Sequence, residues 1–204
     1  MKILTCPAHL QRLEGILRKS LPLALPVFGA VLNINRGNPG NFEVLVDKWP
    51  EFGAVLARPS GEVASGDMGN CKRKGDTVPW HVPGKDWEVP VEGIGGAGGY
   101  WGRVPAPGVR VGSLSPSHVD LLNDTWPYGG NARSRRYLAE ILGRFPQVCL
   151  QDSSGQPVAW VLTDHFGTGT HSYTLPEQRR QGHMQVALTV AAQRAHARGF
   201  PTFG

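Results

Sequence analysis

From Ala8 to Lys19 the chain sets Leu10, Leu13 and Leu17 three and four residues apart, with charged and polar residues between them. That spacing lines one face of a helix, which Pro7 opens. "PVFGAVLNI" (26–34) has no polar face and carries the apolar, β-branched composition of a strand, and the loop "NRGNPGN" follows it. A short helix over 42–48 and a strand over 52–58 complete a compact α/β opening. From Pro59 the periodicity disappears, and glycine or proline recurs every few residues as far as Gly112. A compact domain rarely holds a structureless connection of about 50 residues. Residues 59–112 are therefore expected to be mostly disordered. "WEVPVE" (87–92) is either an isolated strand there, or Trp80, Trp87, Tyr100 and Trp101 gather in a local cluster.

Pattern returns at "SPSHVDLLNDTW", where Ser117 and Asp120 are spaced as a capping box opening a short helix. In "NARSRRYLAEILGRF", Tyr137, Leu138, Ile141, Leu142 and Phe145 fall on one helical face. "QVCLQ" and "PVAWVLTD" flank "DSSGQ" as two strands of a hairpin, and a third strand follows at about 170–175. A helix over 183–198 ends at Gly199, with Pro201 just beyond. Helix, helix, three strands and helix make an α/β chain whose sheet is mainly antiparallel. The regions are then 1–58, 59–112 and 113–204.

Composition narrows the function classes. A formal charge of +5 and a pI near 9.4 suit an anionic small ligand, an acidic surface or weak nucleic-acid binding, without choosing among them. Cys6, Cys71 and Cys149 are odd in number and far apart, which argues against a disulfide framework or a zinc site and suits a reducing compartment. No apolar run approaches the ~20 residues that cross a bilayer. The first twenty residues carry four Lys/Arg and one acid on an amphipathic pattern. They read either as a mitochondrial targeting segment or as the first basic helix of the fold. Two other motifs carry less. Gly93 to Gly98 matches G-x-G-x-x-G, but the following "GYWGRVPAPGV" cannot supply the helix that a dinucleotide site needs. "KRKG" (72–75) is a solvated basic run.

The chemistry concentrates at "TLPEQRRQGHMQVALTV" (174–190). A strand, a loop with Arg179, Arg180 and Gln181, then Gly182 at a helix start bring free backbone N–H groups, the helix dipole and two cations to one point. Gly182 lets an anion approach without a Cβ in the way. Physics alone leaves a phosphate cradle and a surface turn with solvated arginines equally open.

Arg179-x-x-Gly182-x-Met184 resembles the acyl-CoA pyrophosphate loop of the GNAT acyltransferases, Q/R-x-x-G-x-G/A, with Met184 standing where glycine or alanine is usual. "LEGILRKSLP", "VFGAVLNINRGNP", "VDKWPEFGAVLARP", "DLLNDTWPYGGN", "FPQVCLQDSSGQPVAWVLTD", "YTLPEQRRQGHM" and "ARGFP" together resemble the glycine N-acyltransferase-like family, over residues 8–58 and 113–204. Residues 59–112 depart from its pattern. The resemblance implies a GNAT-like mixed, mainly antiparallel sheet flanked by helices. A further strand would follow the last helix; the sequence ends at Gly204 where it would begin, so a sheet incomplete at the C-terminus is expected.

The implied activity is transfer of an acyl group from acyl-CoA to the amine of glycine or a related amino acid such as glutamine. Acyl-CoA would be a co-substrate with no permanently bound cofactor, no nucleic-acid partner and no membrane span. The location would be mitochondrial, with cytoplasmic as the alternative. By the same resemblance Arg179, Arg180, Gln181, Gly182, His183 and Met184 hold the CoA pyrophosphate, and Tyr173, Thr174 and Leu175 pair with the pantetheine arm. The family's general-base carboxylate falls on Thr168, which cannot take a proton from an ammonium near neutral pH. His171 is the candidate replacement, with Asp164 and His165 behind it. A CoA-binding but catalytically silent chain is the second reading, and a basic binding module with steep salt dependence is the third.

Overall fold

The structure, a computed structural model, describes residues 1–61 and 105–201. "WEVPVE", the four aromatic residues considered with it, the G-x-G-x-x-G match and "KRKG" lie outside the described residues. Within them the architecture is mixed α/β, with two antiparallel sheets flanked by helices.

The first sheet has the order β1 (Lys2–Leu4), β2 (Phe42–Val46), β3 (Val55–Pro59). Helices α1 (Pro7–Lys19) and α2 (Leu25–Asn35) complete this half. Leu10, Leu13 and Leu17 of α1 are buried as their spacing requires, in one core with Phe28, Val31, Leu32, Val44 and Val46. Each such side chain contributes about 1.5–3 kcal/mol. The first twenty residues are thus β1 and α1, packed into the body of the fold.

Two elements differ from expectation. Residues 25–35 are a helix, not a strand. Phe28 to Asn33 are buried without a break, and a helix enclosed on every side shows no polar stripe. Residues 42–48 are not a helix: "FEVLV" is the central strand β2, followed by a loop. Glu43 pairs with Arg58 at 2.6 Å across the ladder. The Asp47 carboxylate accepts the N–H groups of Gly53 and Ala54, which closes the hairpin to β3.

The second sheet has the order β4 (Arg110–Gly112), β5 (Gln147–Gln151), β6 (Pro157–Thr163), β7 (Gly169–Thr174). Within 59–112, expected to be mostly disordered, "RVG" forms β4 and pairs with β5 at Val111↔Leu150; residues 62–104 lie outside the described residues. Helices α3 (Val119–Thr125) and α4 (Ala132–Arg144) cover one face, against Cys149, Trp160 and Leu162. Helix α5 (His183–Ala197) covers the other, setting Val186, Ala187 and Val190 on Val148, Leu150 and Val161. With both faces covered, β5 and β6 read as continuous apolar runs. The box before α3 also shifts: Ser115 and His118 close it around a 3-10 turn at Pro116–His118, rather than Ser117 and Asp120. Asn131 caps α4, accepting the N–H groups of Arg133 and Ser134.

The halves meet where α2 presses on the β6–β7 turn. Asn33 Nδ2 donates to the His165 carbonyl at 2.9 Å, Phe42 meets Phe166 edge-on, and Phe200, just past α5, is buried in the first core.

Candidate functional site

Strand β7 is the edge of the second sheet and runs straight into the Arg/Gly loop. Its ladder with β6 pairs Leu162↔Thr170 and Trp160↔Tyr173, so His171 and Ser172 together oppose Val161. This is a β-bulge. His171 occupies it at φ +42°, in the left-handed region, and its ring turns inward. Its Nε2 lies 2.7 Å from the Leu122 carbonyl, stacked near Trp126 and edge-on to Trp160. A carbonyl only accepts, so Nε2 carries the proton. Burial lowers the basicity of this ring. The candidate replacement base therefore ties β7 to α3 from within the core.

The other two candidates sit at the β6–β7 turn. Asp164 accepts the N–H groups of Phe166 and Thr168 through one oxygen, and burial raises its pKa. His165 packs between Phe42 and Phe145.

Beyond Thr174, Leu175 N–H donates the last ladder bond, to Val158. A 3-10 turn at Pro176–Gln178 follows, then Arg180 at φ +66° and Gly182 at φ +80°. Gly182 is the N-cap of α5. Among the described residues no side chain caps that end, and its first turn holds no acidic residue. The leading N–H groups of a helix have no partner within it, and here they point with the dipole into the loop. Arg179 Nε donates to the Thr174 carbonyl at 3.2 Å, and its guanidinium lies 5.5 Å from the Tyr173 ring centre. Arg180 is exposed to solvent.

These elements enclose a cleft of about 450 Å³. It gathers Tyr173, Thr174, Arg179, Arg180, Gly182, His183 and Met184. Two expected residues do not line it: Leu175 packs on the α3–α4 core, and Gln181 donates to Gln178. Three residues that sequence reasoning missed do line it: Ser172, Gln178 and Gln185. Ser172 enters because the bulge shifts the strand's alternation, which nothing in "GTHSYT" announces. Gln185 was legible in principle, two residues past the first helical position. A larger, mostly apolar cavity of about 930 Å³ runs on between α5 and the sheet, sharing Ser172, Met184 and Gln185 with the cleft.

A strand edge, a glycine-capped helix start and two arginines around one cleft make a site for an extended anionic ligand. The comparisons give this site its context. The family described as aralkyl acyl-CoA:amino acid N-acyltransferase matches residues 1–74 and 103–146, and its C-terminal region matches 148–204. The chain belongs to this family. Among relatives, it is similar to a glycine N-acyltransferase of Bos taurus at 31% identity, over 95% of this chain and 85% of that one. A glycine N-phenylacetyltransferase of Bos taurus is 28% identical over 97% and 86%. The glycine N-acyltransferase of Homo sapiens is 27% identical over 95% and 85%. The aralkyl acyltransferase C-terminal region begins at β5 and holds the whole cleft.

Proposed function

We propose that this chain moves an acyl group from acyl-CoA to the amine of glycine or a related amino acid such as glutamine, binding the CoA pyrophosphate on Arg179–Met184 in a GNAT-like manner. One observation carries the reading: the uncapped N-terminus of α5 and the edge of β7 open into the same cleft. A pyrophosphate fits the helix start, where N–H groups and two arginines oppose its charge. An amide-bearing arm fits the strand edge, because an unpaired edge offers backbone donors and acceptors in a row. Acyl-CoA is a co-substrate; no resident cofactor enters the scheme.

A neutral amine attacks the thioester carbon directly, the C–S bond breaks, and the proton lost by the nitrogen ends on the departing thiolate, giving the amide and the CoA thiol. Backbone N–H groups of the edge strand would stabilise the oxyanion as it develops. His171 contributes by fixing the bulge that turns Ser172 into the cleft. The first twenty residues, although packed into the fold, keep the basic amphipathic character that suits a mitochondrial protein.

Calorimetric titration of CoA tests the site. Arg180→Ala and Gly182→Asp should each weaken binding at least tenfold, the second by placing a carboxylate and a strained backbone at the helix start. Undiminished affinity in both would remove the loop from the site. A specific observation favours a second reading, CoA binding without turnover: Thr168 stands where the family carboxylate is expected, and among the described residues no carboxylate lines the cleft. Thiol release from acyl-CoA plus glycine separates the two. Binding without thiol above background selects the silent form.

A further inference from the structure

Arg198 follows the last turn of α5 and lines the larger cavity together with Asn33, Gly167 and Phe200. Met184, at the phosphate cleft, lines the same cavity from the other end of the helix, about 20 Å away along its axis. Arg198 is half-buried, and among the described residues it makes no ion pair. A second cation stands beside it. The guanidiniums of Arg36 and Arg198 lie over one Phe200 ring, at 5.5 and 5.3 Å from its centre. Arg36 has a carboxylate in Glu14 at 3.5 Å, which also accepts hydrogen bonds from Arg18 and Asn35. Nothing comparable reaches Arg198. Burial, and then the charge of Arg36, lower its pKa.

A cation at a helix C-terminus meets the dipole favourably, but an exposed side chain would do so equally well. A guanidinium withdrawn from water beside a like charge calls for a counter-anion. The cavity makes such a pair effective. Val148, Val161, Leu188 and Ala192 give it apolar walls, so an ion pair formed there is weakly screened and stronger than one in water. The planar fork of arginine also matches a carboxylate with two parallel hydrogen bonds.

The position of the cavity against β7 says which carboxylate arrives. Under the proposed function the phosphates sit at the start of α5, beside Thr174. An arm paired with the strand edge then runs back along β7 toward Gly169, over about 17 Å. Its sulfur end comes to the β6–β7 turn. Phe200 packs on that turn, where a Cβ on Gly167 would lie 2.8 Å from the ring. Arg198 is therefore close to where thioester and amine meet, and a helix length from the phosphates.

We infer that Arg198 recognises the acceptor, pairing its guanidinium with the carboxylate of the incoming amino acid while the amine faces the thioester. This deepens the acyl-transfer reading and rests on it. The site selects small α-amino acids by their charge and by the short reach from Arg198 to the end of the arm. Amines without a carboxylate leave the guanidinium unpaired and bind poorly. Arg36 keeps Glu14 and adds its field from the same ring. No bond forms or breaks at Arg198, whose part is binding.

The test uses the full chain and pairs of probes that differ only in charge. Glycine and glycinamide present the same reacting amine, and only glycine has a carboxylate. N-benzoylglycine and its amide repeat the contrast in a binding assay that needs no turnover. In calorimetry with CoA present, the parent should bind N-benzoylglycine at least tenfold more tightly than the amide. Arg198→Gln should abolish that preference, Arg198→Lys should keep part of it, and neither should change affinity for CoA alone. In thiol release, Arg198→Gln should raise the KM for glycine at least tenfold, with kcat and the KM for glycinamide nearly unchanged. An Arg198→Gln chain that still prefers the acid overturns the inference. So does one that loses CoA along with the acid, or one that melts lower and loses both probes alike. A parent that binds CoA without distinguishing acid from amide also overturns it and leaves the CoA reading standing. A parent that does not bind CoA overturns the reading beneath.

Discussion

Gly15 and Gly29 both sit inside helices, and one substitution should act on them with opposite signs. In a helix interior, glycine to alanine ordinarily stabilises by about 1 kcal/mol. Gly15 is exposed on α1, and a Cβ there meets nothing within 4 Å. Gly15→Ala should collect that gain. Gly29 lies on the face of α2 that presses against the β6–β7 turn. A Cβ there would overlap the Phe166 carbonyl oxygen and sit 2.7 Å from its carbon. The obstacle is backbone, so no side chain can swing aside. Overpacking of this kind costs about 1–3 kcal/mol. Parting the surfaces also stretches the Asn33–His165 bond, worth about 1 kcal/mol. After the helical gain is subtracted, Gly29→Ala should destabilise by about 1–3 kcal/mol.

For a chain of this size each kcal/mol moves the midpoint by about 2–4 °C. Gly15→Ala should therefore melt about 2–4 °C higher, and Gly29→Ala roughly 2–12 °C lower. Differential scanning calorimetry with urea titration measures both. A Gly29→Ala protein that melts at or above the parent would refute the close docking of α2 on the turn.

Three further outcomes follow from other contacts. Asn131→Ala removes the α4 cap and should cost about 1 kcal/mol in urea unfolding; no measurable change would mean that the cap is redundant. The His171 ring binds its proton less tightly when folded. Stability is therefore full above the unfolded value of 6.5 and falls as the pH drops below it, by up to about 1.4 kcal/mol per pH unit. His171→Gln should flatten that slope, and an unchanged profile would count against it. Asp164 behaves in the opposite sense: its folded pKa is raised, so stability declines as pH climbs from 3.8 through the folded value. Asp164→Asn keeps an acceptor for the turn and should be no less stable than the parent near neutral pH. A large loss there would show that the charge itself is needed.

Where the sequence was readable, a face or a cap made it so. The helix α1 announces itself through three leucines, α4 through five apolar positions, and α5 through Gly182 and Gly199 at its ends. The hairpin of β5 and β6 follows from its apolar runs and the "DSSGQ" turn, whose Asp152 binds its own loop. The loop chemistry was readable because a glycine at a helix start, with two arginines just before it, has physics that is local. Helix α2 was not readable, since it is buried on all sides. Strand β2 was not, since it spans only five residues and buries Val44, Leu45 and Val46 in succession, without the alternation that marks a strand. The bulge at His171 was hidden for a different reason: its left-handed residue is not a glycine, and a tertiary bond to Leu122 holds it there.

The open side of β7 also bears on self-association. An edge that can accept the amides of an extended ligand can accept those of a neighbouring chain just as well. In the free protein Arg179 stands guard there, its side chain engaging the Thr174 carbonyl and lying over Tyr173. Under the proposed function, a ligand whose phosphates draw that arginine away would put its own arm in the vacated place. The substrate would then double as a protective sleeve, and a stock held with CoA should stay dispersed longer than one held without it.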